Sequence, residues 1–170
     1  MGNFLHSPIT EKETETGEGN GLKYGISCMQ GWRASMEDSH TAVSSIPGWT
    51  TSSFYAVFDG HGGSLAAEHS AKMLLDLVLK TPQFSAGQNM TPETIGEMMK
   101  LAFLNMDEEL RQLPAVGRGD DHSGCTAIAA YVTDTHIIVA NAGWFFFLPY
   151  FYAGLTRYPR RGFPRSVRQK

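Results

Sequence analysis

The sequence has little cysteine and no apolar secretion signal at its start. Its two cysteines, Cys28 and Cys125, lie far apart in a chain of 170 residues. This count excludes a small secreted scaffold held by several disulfides, because such scaffolds need more cysteine pairs. We therefore expect reduced thiols and a location in the cytosol or the nucleus.

Acidic residues are missing from residues 144–170, which hold six basic residues and nine of the 19 aromatic ones. The preceding residues carry a formal charge of −9, whereas these last 27 carry +6. The change in composition separates a body from a divergent aromatic and basic tail. The tail would attract polyanions without specificity, and nothing in the sequence indicates a nucleic-acid partner.

The body begins with a polar segment. Residues 1–21 are rich in Glu, Thr and Gly and show neither helical nor strand periodicity, which predicts a flexible arm. Three strand-like runs follow, at residues 24–29, 41–46 and 53–58. We interpret them as neighbouring antiparallel strands.

Two amphipathic helices are predicted next. Ser64 can cap a helix that runs to about Lys80. A second helix has Thr91 at its N-cap and Pro92 at its first position. Three methionines on one stripe of the second helix are predicted to fill the core: Met98, Met99 and Met106.

Two further β-rich runs, residues 125–132 and 136–140, are joined by a loop short enough for a hairpin. No internal repeat is visible. Strands followed by two consecutive helices, and then by strands again, favour an α+β layered domain over a wound βαβ sheet.

Three segments contain polar residues that packing does not explain. In the first, Arg33 precedes Glu37 and Asp38. A guanidinium binds a phosphoryl group in a bidentate manner, and carboxylates are ligands of Mg²⁺ and Mn²⁺. Taken alone, this spacing favours a surface ion pair in a loop.

In the second segment an apolar run, residues 54–58, ends in Asp59, Gly60 and His61. A carboxylate at a strand end is held by the sheet, and glycines let a cation or phosphate approach the backbone. A glycine-rich turn between strand and helix explains the pattern equally well. The third segment, residues 120–127, reads better as a loop that leads into a strand.

Together, residues 29–33, 36–38, 58–63 and 123–127 resemble successive motifs of the metal-dependent type 2C protein Ser/Thr phosphatases, in the family's order and spacing. The resemblance implies a partial four-layer α-β-β-α sandwich of antiparallel sheets flanked by helices. It also implies hydrolysis of phosphoserine and phosphothreonine in protein substrates.

By the same resemblance the cofactors are Mg²⁺ or Mn²⁺, two ions in the intact family. Asp59 would bridge them, Gly60 would offer its carbonyl oxygen, Glu37 would hold metal-bound water, and Asp38 would support that end of the cleft.

The resemblance further implies that Arg33 binds the substrate phosphate and that His61 protonates the leaving seryl or threonyl oxygen. The remaining histidines are predicted to have surface or packing roles: His6, His40, His69, His122 and His136.

The resemblance ends at Gly143. The family continues there with an aspartate, more strands and further metal ligands, whereas this chain continues with Trp144. We divide the chain into a flexible arm (1–21), an incomplete catalytic domain (22–143) and the tail (144–170). Too few carboxylates remain for two cations, so we expect a weakly active or inactive chain. The alternative is a non-catalytic truncated isoform that competes for partners.

Two membrane alternatives stay open. Residues 137–155 are largely apolar and precede several arginines, although Pro149 and Gly154 interrupt the run. The start of the chain resembles a myristoylation signal at Gly2, with His6 where Ser or Thr is expected.

Overall fold

The computed structural model describes residues 4–85, 90–143 and 152–157. The helices are α1 (Leu65–Leu79), α2 (Pro82–Ser85), α3 (Pro92–Gln112) and α4 (Pro114–Gly117). The strands are β1 (Phe4–Ile9), β2 (Glu13–Gly19), β3 (Leu22–Cys28), β4 (Gly31–Arg33), β5 (Ser39–Val43), β6 (Ser53–Phe58), β7 (Gly60–His61), β8 (Gly124–Cys125), β9 (Ala127–Val132), β10 (His136–Ala142) and β11 (Tyr152–Arg157).

A five-stranded antiparallel sheet in the order β11-β10-β9-β6-β5 forms the centre of the fold. Side chains alternate between its two faces, as the period of a strand requires. Along β6, Phe54, Ala56 and Phe58 are buried, whereas Val57 is exposed. The predicted hairpin is confirmed, because β9 and β10 pair in the register Val132 to Ile137.

Helices α1 and α3 cover one face of this sheet. The predicted cap of α3 is confirmed, since Thr91 Oγ1 accepts a hydrogen bond from the Thr94 N–H at 3.2 Å. Ser64 occupies the N-cap of α1, but its hydroxyl bonds the Glu68 carboxylate at 2.7 Å instead of the backbone. The predicted core methionines are all buried: Met98, Met99 and Met106.

The hairpin of β2 and β3 lies against the other face. The rings of Tyr24 and Tyr55 approach to 5.6 Å between centroids, and the Asn20 side chain donates to Ser53 Oγ at 3.2 Å. Helices, central sheet and hairpin thus form three successive layers. The predicted α+β class is confirmed.

Two predictions for the first part of the chain differ from the structure. Strands β1 and β2 occupy much of the segment predicted as a flexible arm, and β3 pairs with β2 rather than with β5. The physical reason is that β2 is exposed along most of its length. Its Glu and Thr side chains leave no alternation of polar and apolar residues to detect, although threonine suits a strand.

Strand β11 is the described part of the predicted tail. It pairs antiparallel with β10 from Asn141 opposite Tyr152 to His136 opposite Arg157. Residues 144–151 and 158–170 lie outside the described residues, as do the two positions Gly2 and Pro149 of the membrane alternatives. Within the described ranges, no helix is long and apolar enough to cross a membrane.

Candidate active site

The first two polar segments meet in one pocket of about 230 Å³ at the end of β6. The pocket is lined by Met29, Gln30, Arg33, Ser35, Met36, Glu37, Asp38, Asp59 and Gly60. The structure therefore brings five of the six predicted site residues together. The sixth, His61, follows directly in β7 but does not line this pocket.

The end of β6 explains how Asp59 is presented. Phe58 is buried in the core and fixes the strand, so the next residue, Asp59, lies just beyond the end of β6 and is exposed. Gly60 is buried against the backbone of Glu37: a Cβ at this position would overlap the Glu37 carbonyl oxygen. Only glycine allows the segments that contain Gly60 and Glu37 to lie this close. Gly60 therefore determines the shape of the pocket as well as lining it.

Arg33 is the last residue of β4, and β4 pairs with β1 near the start of the chain. The Gln30 side chain donates to the Arg33 carbonyl oxygen at 2.9 Å and closes the turn. The Ser35 hydroxyl donates to Glu37 Oε1 at 3.2 Å. Sequence reasoning did not identify Gln30 or Ser35 as site residues, although both lie within or beside the first motif.

Three carboxylates give the pocket a negative electrostatic character. Partial burial raises the pKa of Asp38 above its ordinary value, the charge of Asp59 adds to the rise, and Arg33 opposes it. Glu37 contributes a further, smaller repulsion to the pKa of Asp38. A bound cation would relieve this repulsion and favour the ionised carboxylates.

The donor atoms suit a hard divalent cation, because carboxylate and backbone carbonyl oxygens are the ligands that Mg²⁺ and Mn²⁺ prefer. Among the residues that the structure describes, however, no three His, Cys, Asp or Glu side chains come close enough together to hold a metal ion. The pocket therefore fits such a cation in its chemistry but supplies only part of a coordination shell.

The third polar segment supports the turn that follows Asp59. The Thr126 N–H donates to the Asp59 carbonyl oxygen at 2.9 Å, and the Ala66 N–H at the start of α1 donates to Ser123 Oγ at 3.1 Å. Ser123 thus caps α1 from another segment, where Ser64 does not. The segment is a loop that leads into β8, as predicted.

His61 is exposed in β7 and pairs in register with Gly124 of β8. None of the other histidines lines the pocket: His6, His40, His69, His122 and His136. His40 lies 3.8 Å from Glu15, and His136 bonds Thr135 at 2.9 Å. These contacts agree with surface and packing roles.

A second, larger cavity of about 330 Å³ lies between α1, α3 and the sheet. Its wall is mostly apolar and includes Cys125. Burial raises the pKa of the Cys125 thiol, and the hydrogen bond with Ser70 only partly opposes this. The thiol therefore stays protonated at neutral pH, which argues against a nucleophilic role.

Comparison with known proteins agrees with these motifs. A family model described as protein phosphatase 2C matches residues 22–143. The chain is 43% identical over 150 residues to mouse "Protein phosphatase 1B" and 42% identical over 146 residues to human "Protein phosphatase 1A". Each match covers 84% of this chain but only 38% of the relative, so the chain spans about two fifths of their length.

Solved structures show the same fold at lower identity. A serine-threonine phosphatase 2C from Toxoplasma gondii superposes with a TM-score of 0.59 at 18% identity, over 82% of this chain and 46% of that one. A C. elegans sex determining protein gives a TM-score of 0.54 at 20% identity, over 81% and 30%. With the family model covering most of the chain and residues of three of the four motifs meeting in one pocket, the chain belongs to the protein phosphatase 2C family.

Proposed function

We propose that this chain carries the substrate-binding half of a metal-dependent phosphatase site that hydrolyses phosphoserine and phosphothreonine in proteins. The observation that carries the proposal is the meeting of Arg33 with the carboxylates of Glu37, Asp38 and Asp59 in one pocket. Family membership gives this arrangement its reaction class. We further propose phosphorylated proteins in the cytosol or nucleus as substrates.

Arg33 is proposed to bind the substrate phosphate. Its guanidinium is exposed at the pocket, and its backbone is held by strand pairing and by Gln30. A planar guanidinium can donate two parallel hydrogen bonds to phosphoryl oxygens, which orients the group as well as attracting it. Arg33 would thus place the phosphorus beside the carboxylate end of the pocket.

Asp59, Glu37, Asp38 and the carbonyl oxygen of Gly60 are proposed to hold the cation. Mg²⁺ or Mn²⁺ bound there would supply charge neutralisation and an activated water for attack on the phosphoryl group. The backbone contact between Gly60 and Glu37 holds the two segments that carry these donors beside each other. Within the described residues no three of the carboxylates are clustered, so the side chains would still have to converge around the cation, and ordering them would cost entropy.

His61 is proposed to protonate the leaving oxygen. A seryl or threonyl alkoxide is a strong base, so a proton donor lowers the barrier to its departure. An imidazole suits this role because its ring nitrogens can carry a proton and give it up. The proposal is supported by the position of His61 in the chain, directly after the pocket residue Gly60 and outside the pocket lining.

The activity of this chain alone is proposed to be weak. Two octahedral cations need about a dozen oxygen ligands between them, far more than these four residues provide. The scarcity of clustered ligands in the described ranges agrees with weak binding. Nothing in the comparisons favours the alternative of a non-catalytic competitor.

The test is Mn²⁺ binding and Mn²⁺-dependent hydrolysis of a phosphothreonine peptide by the full chain, with Asp59→Asn as the site variant. Asp76→Asn is the matched control, because it makes the same change at an exposed position of α1. We expect weak Mn²⁺ binding and slow turnover that Asp59→Asn reduces at least tenfold and Asp76→Asn does not. The proposal would be contradicted if the two variants bound Mn²⁺ and turned over substrate equally. It would also be contradicted if the folded parent chain showed neither Mn²⁺ binding nor turnover.

A further inference from the structure

We propose that Gly124 is a positioning residue for His61: by having no side chain, it leaves the space in which the imidazole lies. The functional part of this inference rests on the proposed role of His61 as proton donor. The geometric part stands on the contacts of β7 with β8 alone.

The two short strands fix Gly124 beside His61. Gly60 pairs with Cys125, and His61 pairs with Gly124. Hydrogen bonds on either side of the pair hold the same segments together: Thr126 N–H to the Asp59 carbonyl, and Ala66 N–H to Ser123 Oγ. Because both flanks of Gly124 are held, moving β8 away from the ring would break these hydrogen bonds.

The space at Gly124 is filled by the ring itself. A Cβ built on Gly124 would lie 2.6 Å from His61 Nε2 and 3.1 Å from Cε1. Real Cβ atoms essentially never approach another heavy atom within 3.0 Å. Any other residue at position 124 therefore forces the imidazole out of its present place.

Backbone conformation does not explain this glycine. Gly124 lies in a strand and, unlike its neighbours Gly62 and Gly63, does not have a positive φ. A Cβ at Gly60 meets backbone, which cannot yield, whereas a Cβ at Gly124 meets only the end of an exposed side chain. The expected response to Gly124→Ala is rotation of His61 into solvent with the fold retained.

Gly25→Ala is the matched control. Gly25 also lies in a strand, and a Cβ there meets only Thr16 Cγ2 at 3.9 Å, an ordinary contact. Both variants exchange glycine for alanine in a strand, so they share the change in chain entropy. They differ in whether an imidazole occupies the new methyl group's place.

The experiment is NMR of the imidazole protons in the metal-free full chain at one fixed pH, with the His61 signals assigned by their loss in His61→Ala. In the parent we expect cross-relaxation between the His61 ring protons and the Gly124 Hα protons. In Gly124→Ala the ring signals should shift and their contact with residue 124 should weaken, while Gly25→Ala leaves both unchanged. Unaltered His61 signals in folded Gly124→Ala would overturn the proposal.

A double-mutant cycle covers the case in which Gly124→Ala folds poorly. We expect the unfolding temperature after Gly124→Ala, relative to its own background, to be lower in the parent than in the His61→Ala background, because only in the parent does the new methyl group meet the ring. Equal shifts in both backgrounds would overturn the proposal. Neither measurement uses turnover. An inactive chain would therefore contradict the proposed function, whereas the position of the His61 ring would still be decided by the NMR and unfolding measurements.

Discussion

The two faces of the five-stranded sheet differ in how they are covered, even though the same strands supply both. On the helix face, Phe54, Tyr131 and Ile138 have no exposed surface. On the other face, Val57 and Ile128 stand opposite each other in register and are 52% and 51% exposed. The hairpin of β2 and β3 covers only part of that second face.

This contrast shows where the stability of the chain originates. Burial of apolar surface is the dominant favourable contribution to folding, and most of it lies between the sheet and the two long helices. The candidate site, in contrast, is built at the end of β6 from polar side chains and a tight backbone contact. The core residues on the helix face therefore hold the strands that carry the site, although their own side chains do not line the pocket.

The largest expected effect is from Phe54→Ala on the helix face. Removing a fully buried ring leaves a cavity and should lower the free energy of unfolding by about 3–5 kcal/mol, measured from urea unfolding curves. The control is Val57→Ala on the opposite face of the same strand, where we expect less than about 1 kcal/mol. Equal losses in the two variants would break the comparison between the faces.

A smaller effect is expected from the cap of the covering helix α3. Thr91→Ala removes the acceptor for the Thr94 N–H and should cost about 1 kcal/mol in the same unfolding assay. Ser64→Ala is the counterpart at α1, where the side chain does not cap the helix. We expect a smaller loss there, and a larger one would show that Ser64, rather than Ser123, caps α1.

The open face should affect association more than stability. Replacing Val57 and Ile128 together by threonine keeps β-branched side chains but makes the exposed pair more polar. We expect a change of less than about 0.5 kcal/mol in unfolding free energy. Light scattering at increasing protein concentration should show less self-association, and unchanged scattering would indicate that this face is not adhesive.

The smallest expected effect concerns pH. Hydrogen bonds from the hydroxyl and backbone N–H of Ser123 lower the pKa of Asp121 below its ordinary value. A lowered folded-state pKa means that this stabilisation is present above the unfolded-state pKa of about 3.9 and is lost as pH falls through the folded one. We assign this acid sensitivity to the turn that holds Asp121 and Ser123.

Asp121→Asn tests that assignment. The unfolding temperature of the parent should approach that of the variant as the pH falls below about 4, because protonation then weakens the same bonds in the parent. A constant difference between the two across the acid range would contradict it.

Much of the helix side was predictable from sequence because its signals are local. The cap at Thr91, the apolar stripe of α3 and the short loop between β9 and β10 each lie within a few neighbouring residues. The clustering of Arg33 with Asp59 was predicted from family motifs, and their roles stay a prediction. Periodicity and capping could not predict a pocket built from separate segments.

The missed features depend on contacts between distant segments. Ser123 bonds the first turn of a helix at Ala66, 57 residues earlier in the chain, and Gly124 is constrained by a ring in another strand. Strand β2 shows no apolar alternation because its side chains are mostly exposed. Such features become visible only when the partner segment is in place.

Strand β11 changes the expected hydrogen-exchange behaviour of its neighbour. An isolated edge strand protects only every second amide, because alternate N–H groups point away from the sheet. Since β10 lies between β9 and β11, its amides pair on both sides, whereas the described ladder gives β5 a partner only in β6. Slow amide exchange should therefore be continuous along β10 and should alternate along β5. In this way a strand of the divergent tail slows hydrogen exchange in a strand of the family domain.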